Sequence, residues 1–124
     1  MRFLLMVMGN ADYEAGKPPP DELFAEMDKY MARELASGAV KSAGGLRPTI
    51  AGARLKARDG RIAVMDGPFT EAKEIIGGYA FIEAPSKAEA IRMATEFIEV
   101  HFKAGVMDVD VELREVSGGP IDGA

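Results

Sequence analysis

Asp66-Gly67-Pro68-Phe69-Thr70-Glu71-Ala72-Lys73-Glu74-Ile75-Ile76-Gly77-Gly78-Tyr79 is the densest stretch of chemistry in the chain. It joins two apolar runs that read as strands, Arg61 to Met65 before it and Tyr79 to Ala84 after it. Asp66-Gly67-Pro68 reads as a turn. Asp accepts local backbone hydrogen bonds, Gly permits positive φ, and Pro fixes its own φ and forbids ladder pairing. Thr70 is placed to cap a short helix starting at Glu71, whose carboxylate is favoured at a positive helix end. Phe69 and Ile75 are expected to bury against a sheet. Gly77-Gly78 is read as the end of that helical turn and the start of the next strand.

Working outward, the segment before the stretch reads as a β-hairpin, Arg54 to Ala57 and Arg61 to Met65, joined by Asp59-Gly60. Asp-Gly is a preferred type I′ pair. Leu55 and Ala57 share a face with Ile62 and Val64. Upstream, Ala39 to Ala43 reads as a short strand broken by Gly44-Gly45-Leu46-Arg47-Pro48. At the N-terminus, Arg2 to Met8 is a continuous apolar run that suits a central strand buried on both faces. Asn10 to Lys17 reads as a polar loop. Pro18-Pro19-Pro20 opens a helix with Asp21 and Glu22 in its first turn, and Gly38 ends it. Leu23, Met27, Met31 and Leu35 give that helix one apolar stripe, with Phe24 and Tyr30 beside it.

Downstream, Pro85 closes the strand that begins at Tyr79. Ser86-Lys87-Ala88-Glu89 is a capping box, and Ala90, Ile91, Ala94, Ile98 and Phe102 form the predicted buried stripe of a helix that Gly105 stops. His101 is expected to be a partly exposed residue near the helix C-terminus, where a protonated imidazole is favoured. Met107, Val109, Val111 and Leu113 alternate with Asp108, Asp110, Glu112 and Arg114, the pattern of a strand with one wet face. Ser117 to Ala124 reads as a loose tail, so residues 1–116 form the expected domain and 117–124 a flexible end. The order is a βαββαβ plan, an α+β ferredoxin-like architecture with an inserted hairpin. Two helices cover one sheet face only. The apolar side chains on the other face call for a partner, and a homodimer with facing sheets supplies it.

The Asp-Gly-Pro-Phe-x-Glu-x-Lys-Glu-x-x-Gly-Gly-Tyr pattern, complete from Asp66 to Tyr79, resembles the signature of the DGPF branch of the YCII-related family. Gly45-Leu46-x-Pro48 and an N-terminal strand ending in Gly9 resemble the same pattern. The resemblance implies a ferredoxin-like fold that dimerises as an α+β barrel. In the wider family some members resemble dehydrochlorinases that use a His–Asp pair. This chain has no histidine in its first strand region, and Met8 stands where many DGPF relatives carry Tyr. Relatives of this type are often encoded beside sigma factors of the extracytoplasmic-function type, which implies a regulatory, ligand-sensing module with a sigma-factor partner.

Composition narrows the chemistry. The chain has 124 residues, enough for one domain with its own core. It has no cysteine, so disulfides and thiolate chemistry are excluded. With one histidine, His101, no metal site or cofactor is expected. The three carboxylates of Asp108, Asp110 and Glu112 lie along one strand face, too far apart for a compact cation site. The N-terminal apolar run is too short for a signal peptide, no stretch approaches a membrane span, and a cytoplasmic protein is expected. A net charge of −5 argues against direct nucleic-acid binding. The charge is uneven, however. Lys41, Arg47, Arg54, Lys56, Arg58 and Arg61 fall in one segment with a single acidic residue, Asp59.

What remains is general acid–base work by Asp66, Glu71, Lys73 and Glu74, the candidate catalytic residues. Lys73 either holds a neighbouring carboxylate ionised or binds an anionic substrate. Arg47 and Tyr79 are the candidate ligand contacts, Arg47 for a small anion. Two functions are thus expected in parallel: a homodimeric ligand-binding or sensing module, and a metal-independent acid–base lyase acting on a small anionic or aromatic substrate.

Overall fold

The computed structural model describes residues 1–69 and 75–118. In chain order the elements are β1 (Arg2–Met8), α1 (Ala11–Glu14), α2 (Asp21–Ser37), β2 (Val40–Gly45), a 3₁₀ turn (Thr49–Ala51), β3 (Ala53–Arg58), β4 (Arg61–Asp66), β5 (Ile76–Glu83), α3 (Lys87–Lys103) and β6 (Val111–Glu115). Four strands form an antiparallel sheet in the order β2-β5-β1-β6. That order, with α2 and α3 as the crossovers, is the ferredoxin-like arrangement. β3 and β4 pair separately as a hairpin inserted between β2 and β5.

β1 is central because it has no polar residue from Phe3 to Met8, and a strand between two others must tolerate burial on both sides. Phe3 and Leu5 point to the helix layer and are buried, whereas Leu4 and Met6 lie on the opposite face and are half-buried. The core sits between the sheet and α2 with α3. Phe3, Leu5, Val40, Ala80 and Ile82 meet Tyr30 from α2 and Ala90, Met93, Ala94, Phe97 and Val100 from α3.

Helix ends follow their signals. Gly38 adopts the left-handed conformation at the end of α2 (φ 81°), and Gly105 does so just beyond α3 (φ 83°). Ser86 caps α3, its hydroxyl accepting the Glu89 N–H at 3.1 Å. Asp59 (φ 51°) and Gly60 (φ 75°) both lie at positive φ, as a type I′ turn requires.

Several expectations are corrected. Residues 10–17 are not wholly loop: Asn10 caps the short helix α1, its side chain accepting the Tyr13 N–H at 2.9 Å. Gly44-Gly45 and Gly77-Gly78 lie in β2 and β5, with Gly45 paired to Gly78 and Gly44 to Tyr79, rather than breaking a strand or ending a helix. β6 is shorter than its alternation: residues 107–110 lie outside any strand, and β6 runs Val111–Glu115. The buried face of α3 is rotated from the predicted stripe. Met93, Phe97, Val100 and His101 turn inward beside the alanines, while Ile91 and Phe102 face solvent. Both faces carry large apolar side chains and both include Ala90 and Ala94, so the choice between them is made by packing against the sheet. No helix among the described residues is long and apolar enough to cross a membrane.

Candidate functional site

The ends of β2 and β5 are tied together by α1. The Tyr13 hydroxyl donates to the Leu46 carbonyl at 2.5 Å, and the Leu46 N–H donates to the Gly77 carbonyl at 2.9 Å. Burial, with a smaller push from Glu14, raises the Tyr13 phenol above its usual range, so it stays a proton donor at neutral pH. Next to it, the Glu14 carboxylate accepts two bonds from Thr49, one from the backbone N–H at 2.9 Å and one from the hydroxyl at 2.5 Å. The Thr49 hydroxyl in turn accepts the Phe69 N–H at 2.9 Å. Residues far apart in sequence are thereby locked into one polar junction.

Two cavities adjoin this junction. The first, of about 500 Å³, lies between α2 and the sheet. Leu23, Met27 and Met31 of α2 form one wall, and Val7, Ala43 and Ala80 of the sheet contribute to the other. The register of β1 against β5 slips between Val7 and Met8, and both residues line the cavity. Such a bulge re-aims side chains at the end of a strand. Asn10, Tyr13 and Tyr79 are the polar residues in the lining, and no acidic, basic or histidine residue belongs to it among the described residues. The α2 stripe read as core is core only in part: Met27 and Met31 pack against the core while also lining the cavity, Tyr30 is buried, and Phe24 and Leu35 are about half exposed.

The second cavity, of about 480 Å³, is an open cleft where the hairpin meets the sheet. Arg47, Arg54, Phe69, Ile75 and Ile76 are among its lining residues. The Arg54 guanidinium lies 4.3 Å from the centre of the Phe69 ring.

The candidate residues are therefore split. Tyr79 borders the cavity under α2 from its place in β5, but its ring packs with Phe81 on the sheet face away from the helices, and Arg47 lines the cleft. Asp66, at the end of β4, is exposed and lines neither. Glu71, Lys73 and Glu74 lie outside the described residues. His101 is 6% exposed, correcting the expectation of a partly open residue. Its Nδ1 donates to the Phe97 carbonyl at 3.0 Å and its ring packs against Phe97, so it is a core residue of α3. Among the described residues no group of three or more His, Asp or Glu is placed to hold a metal ion.

Tyr13, Glu14 and Thr49 were not legible as site residues. The available signal was Asn10 three residues before Tyr13, which is an N-cap spacing.

Comparison with known proteins gives consistent results. The family model described as YCII-related domain matches residues 1–112. A relative from Rhizobium meliloti (strain 1021), "Uncharacterized protein R00369", is 28% identical over 93 residues, covering 75% of each chain.

Proposed function

This chain belongs to the YCII-related family, and we propose that it is a homodimeric small-molecule-binding module that takes an apolar, aromatic-sized ligand between α2 and the sheet. The observation that carries this reading is the lining of that cavity. Its volume falls in the range of ordinary ligand sites, about 300–1,000 Å³. Its walls are apolar, and the polar residues Asn10 and Tyr13 at its edge are enough to orient a ligand without holding a charge. Met27 and Met31 give one wall flexible, polarizable side chains that adapt to a ligand's shape.

The lining favours binding over acid–base catalysis. General acid–base work needs a group that titrates near the working pH. None of the described lining residues is acidic, basic or a histidine, and the Tyr13 phenol is held above its usual range. In this reading the chain is of the DGPF branch, which the motif from Asp66 to Tyr79 supports. A sigma factor of the kind this branch is encoded beside is then the regulatory partner, and the module works in the cytoplasm.

The homodimer rests on uncovered apolar surface. Leu4, Met6, Tyr79 and Phe81 share the sheet face away from the helices. The hairpin adds Leu55 at 66%, Ile62 at 73% and Val64 at 63% exposure on one of its faces. Contiguous apolar surface of this kind marks an interface, and a two-stranded hairpin alone is barely stable in water. Light scattering at micromolar concentration is expected to give twice the chain mass.

The ligand reading is tested with N-phenylnaphthylamine, a neutral dye whose fluorescence rises in apolar surroundings. One saturable site per chain is expected, weakened in Met31→Trp, whose larger ring intrudes on the cavity. Absence of saturable binding, or binding unchanged in a folded Met31→Trp variant, would overturn the reading.

A further inference from the structure

We propose that the cleft at the base of the hairpin is a second, separate ligand site, which takes a planar organic carboxylate between Arg47 and Arg54. Four observations carry it. The first is the pair of cations. Among the described residues neither Arg47 nor Arg54 has an ion pair or a hydrogen bond, whereas Arg2, Arg33, Arg92 and Arg114 each pair with a glutamate. The Phe69 ring steadies the Arg54 guanidinium from 4.3 Å without consuming its N–H donors. A guanidinium with free donors presents a planar fork that matches a carboxylate.

The second observation is that the wall is held in place. Glu14 anchors Thr49, Thr49 anchors the Phe69 backbone, and the Phe69 ring carries Arg54. Glu14, a carboxylate near the cleft, is thereby engaged by Thr49 instead of by an arginine. The third is the rest of the lining. Leu46, Ile75 and Ile76 supply apolar surface for a flat hydrocarbon body beside the two charges. The fourth is the field. The segment from Lys41 to Arg61 holds six basic residues in a chain of net charge −5, so a small anion is drawn to this end of the molecule.

The cleft is distinct from the cavity under α2. Gly45 and Gly77 line the cavity, and the next residues, Leu46 and Ile76, line the cleft. The two sites differ in chemistry as well as in place, because one is uncharged and the other dicationic.

The probe is benzoate, titrated by calorimetry at low and at high salt. Arg47→Ala and Arg54→Ala are each expected to weaken binding by on the order of tenfold, as loss of a charged hydrogen bond does. Salt is expected to weaken it in the native chain. Arg54→Lys keeps the charge but not the planar fork, and is expected to weaken benzoate as well. All three variants are expected to bind N-phenylnaphthylamine as the native chain does, which also reports that they are folded. Benzoate binding that survives both alanine substitutions, that displaces the dye from the cavity under α2, or that is absent at millimolar concentration would overturn the proposal. Failure of the dye to bind would count against the cavity alone and leave the benzoate result readable.

Discussion

A Cβ atom on Gly67 would sit 1.6 Å from the carbonyl oxygen of Thr49. No side chain fits there. Gly67 is not at positive φ, so the glycine answers to a close crossing of two chain segments rather than to turn geometry. The crossing sets the base of the hairpin, where the Gly67 N–H donates to the Gly52 carbonyl at 2.9 Å. Thr49 is the same residue that links Glu14 to Phe69. Gly67→Ala is therefore expected to destabilise the protein by about 3 kcal/mol, the upper end for forced overpacking. Gly45→Ala, where an added methyl meets nothing within 4 Å, is the matched control. Urea melts of both variants check this, and equal midpoints would refute the crossing.

The Ser86 cap gives a second prediction. Its hydroxyl satisfies the Glu89 N–H, while the Glu89 carboxylate pairs with Arg92 at 2.6 Å. Ser86→Ala is expected to cost about 1 kcal/mol of stability. Ser86→Asn, which keeps an acceptor, is expected to restore most of it. Denaturant midpoints of the two variants read the difference.

Tyr30 gives a pH dependence. Burial, reinforced by Glu34 and Glu96, pushes its phenol up to about 12. The folded value lies above the unfolded one, so the neutral form is the one the fold keeps. The stability tied to this group is whole below pH 10 and is lost as pH rises from 10 toward 12. Tyr30→Phe is expected to flatten the alkaline limb of the stability curve at a small cost at neutral pH, since the hydroxyl reaches the Met93 carbonyl only at 3.4 Å. Thermal melts between pH 8 and pH 11, on the order of one unit apart, test the slope. An unchanged alkaline limb would contradict the assignment.

Much of the fold was legible from local signals. The glycines at 38 and 105, the Ser86 cap and the Asp59-Gly60 turn each act through their own backbone, so sequence position alone locates them. What was not legible depends on partners distant in the chain. The glycine pairs at 44–45 and 77–78 read as breakers, yet both lie in strands of one sheet, where Gly45 pairs with Gly78. On α3, Ile91 and Phe102 are as apolar as Met93 and Phe97, and only the docked sheet decides which pair is buried. His101 looked like a surface residue because a helix end predicts charge stabilisation, whereas Phe97 and the core enclose it. The motif drew attention to the right region but to different side chains. Arg47 and Tyr79 line cavities, Asp66 does not, and the residues that build the junction, Glu14 and Thr49, carry no signature of their own.

The central claim is that an apolar ligand enters between α2 and the sheet. Methionine methyl NMR tests it most directly, because the eight methionines sample every relevant surface. Met27 and Met31 line the cavity, Met6 lies on the opposite sheet face, Met65 is on the exposed hairpin, and Met107 is solvent-exposed. With the methyl signals assigned by single substitution, titration of the neutral naphthylamine dye is expected to shift Met27 and Met31 and to leave Met6, Met65 and Met107 in place. Shifts centred on Met6 or Met65, with Met27 and Met31 unmoved, would contradict the account and put the ligand on the open sheet or the hairpin instead.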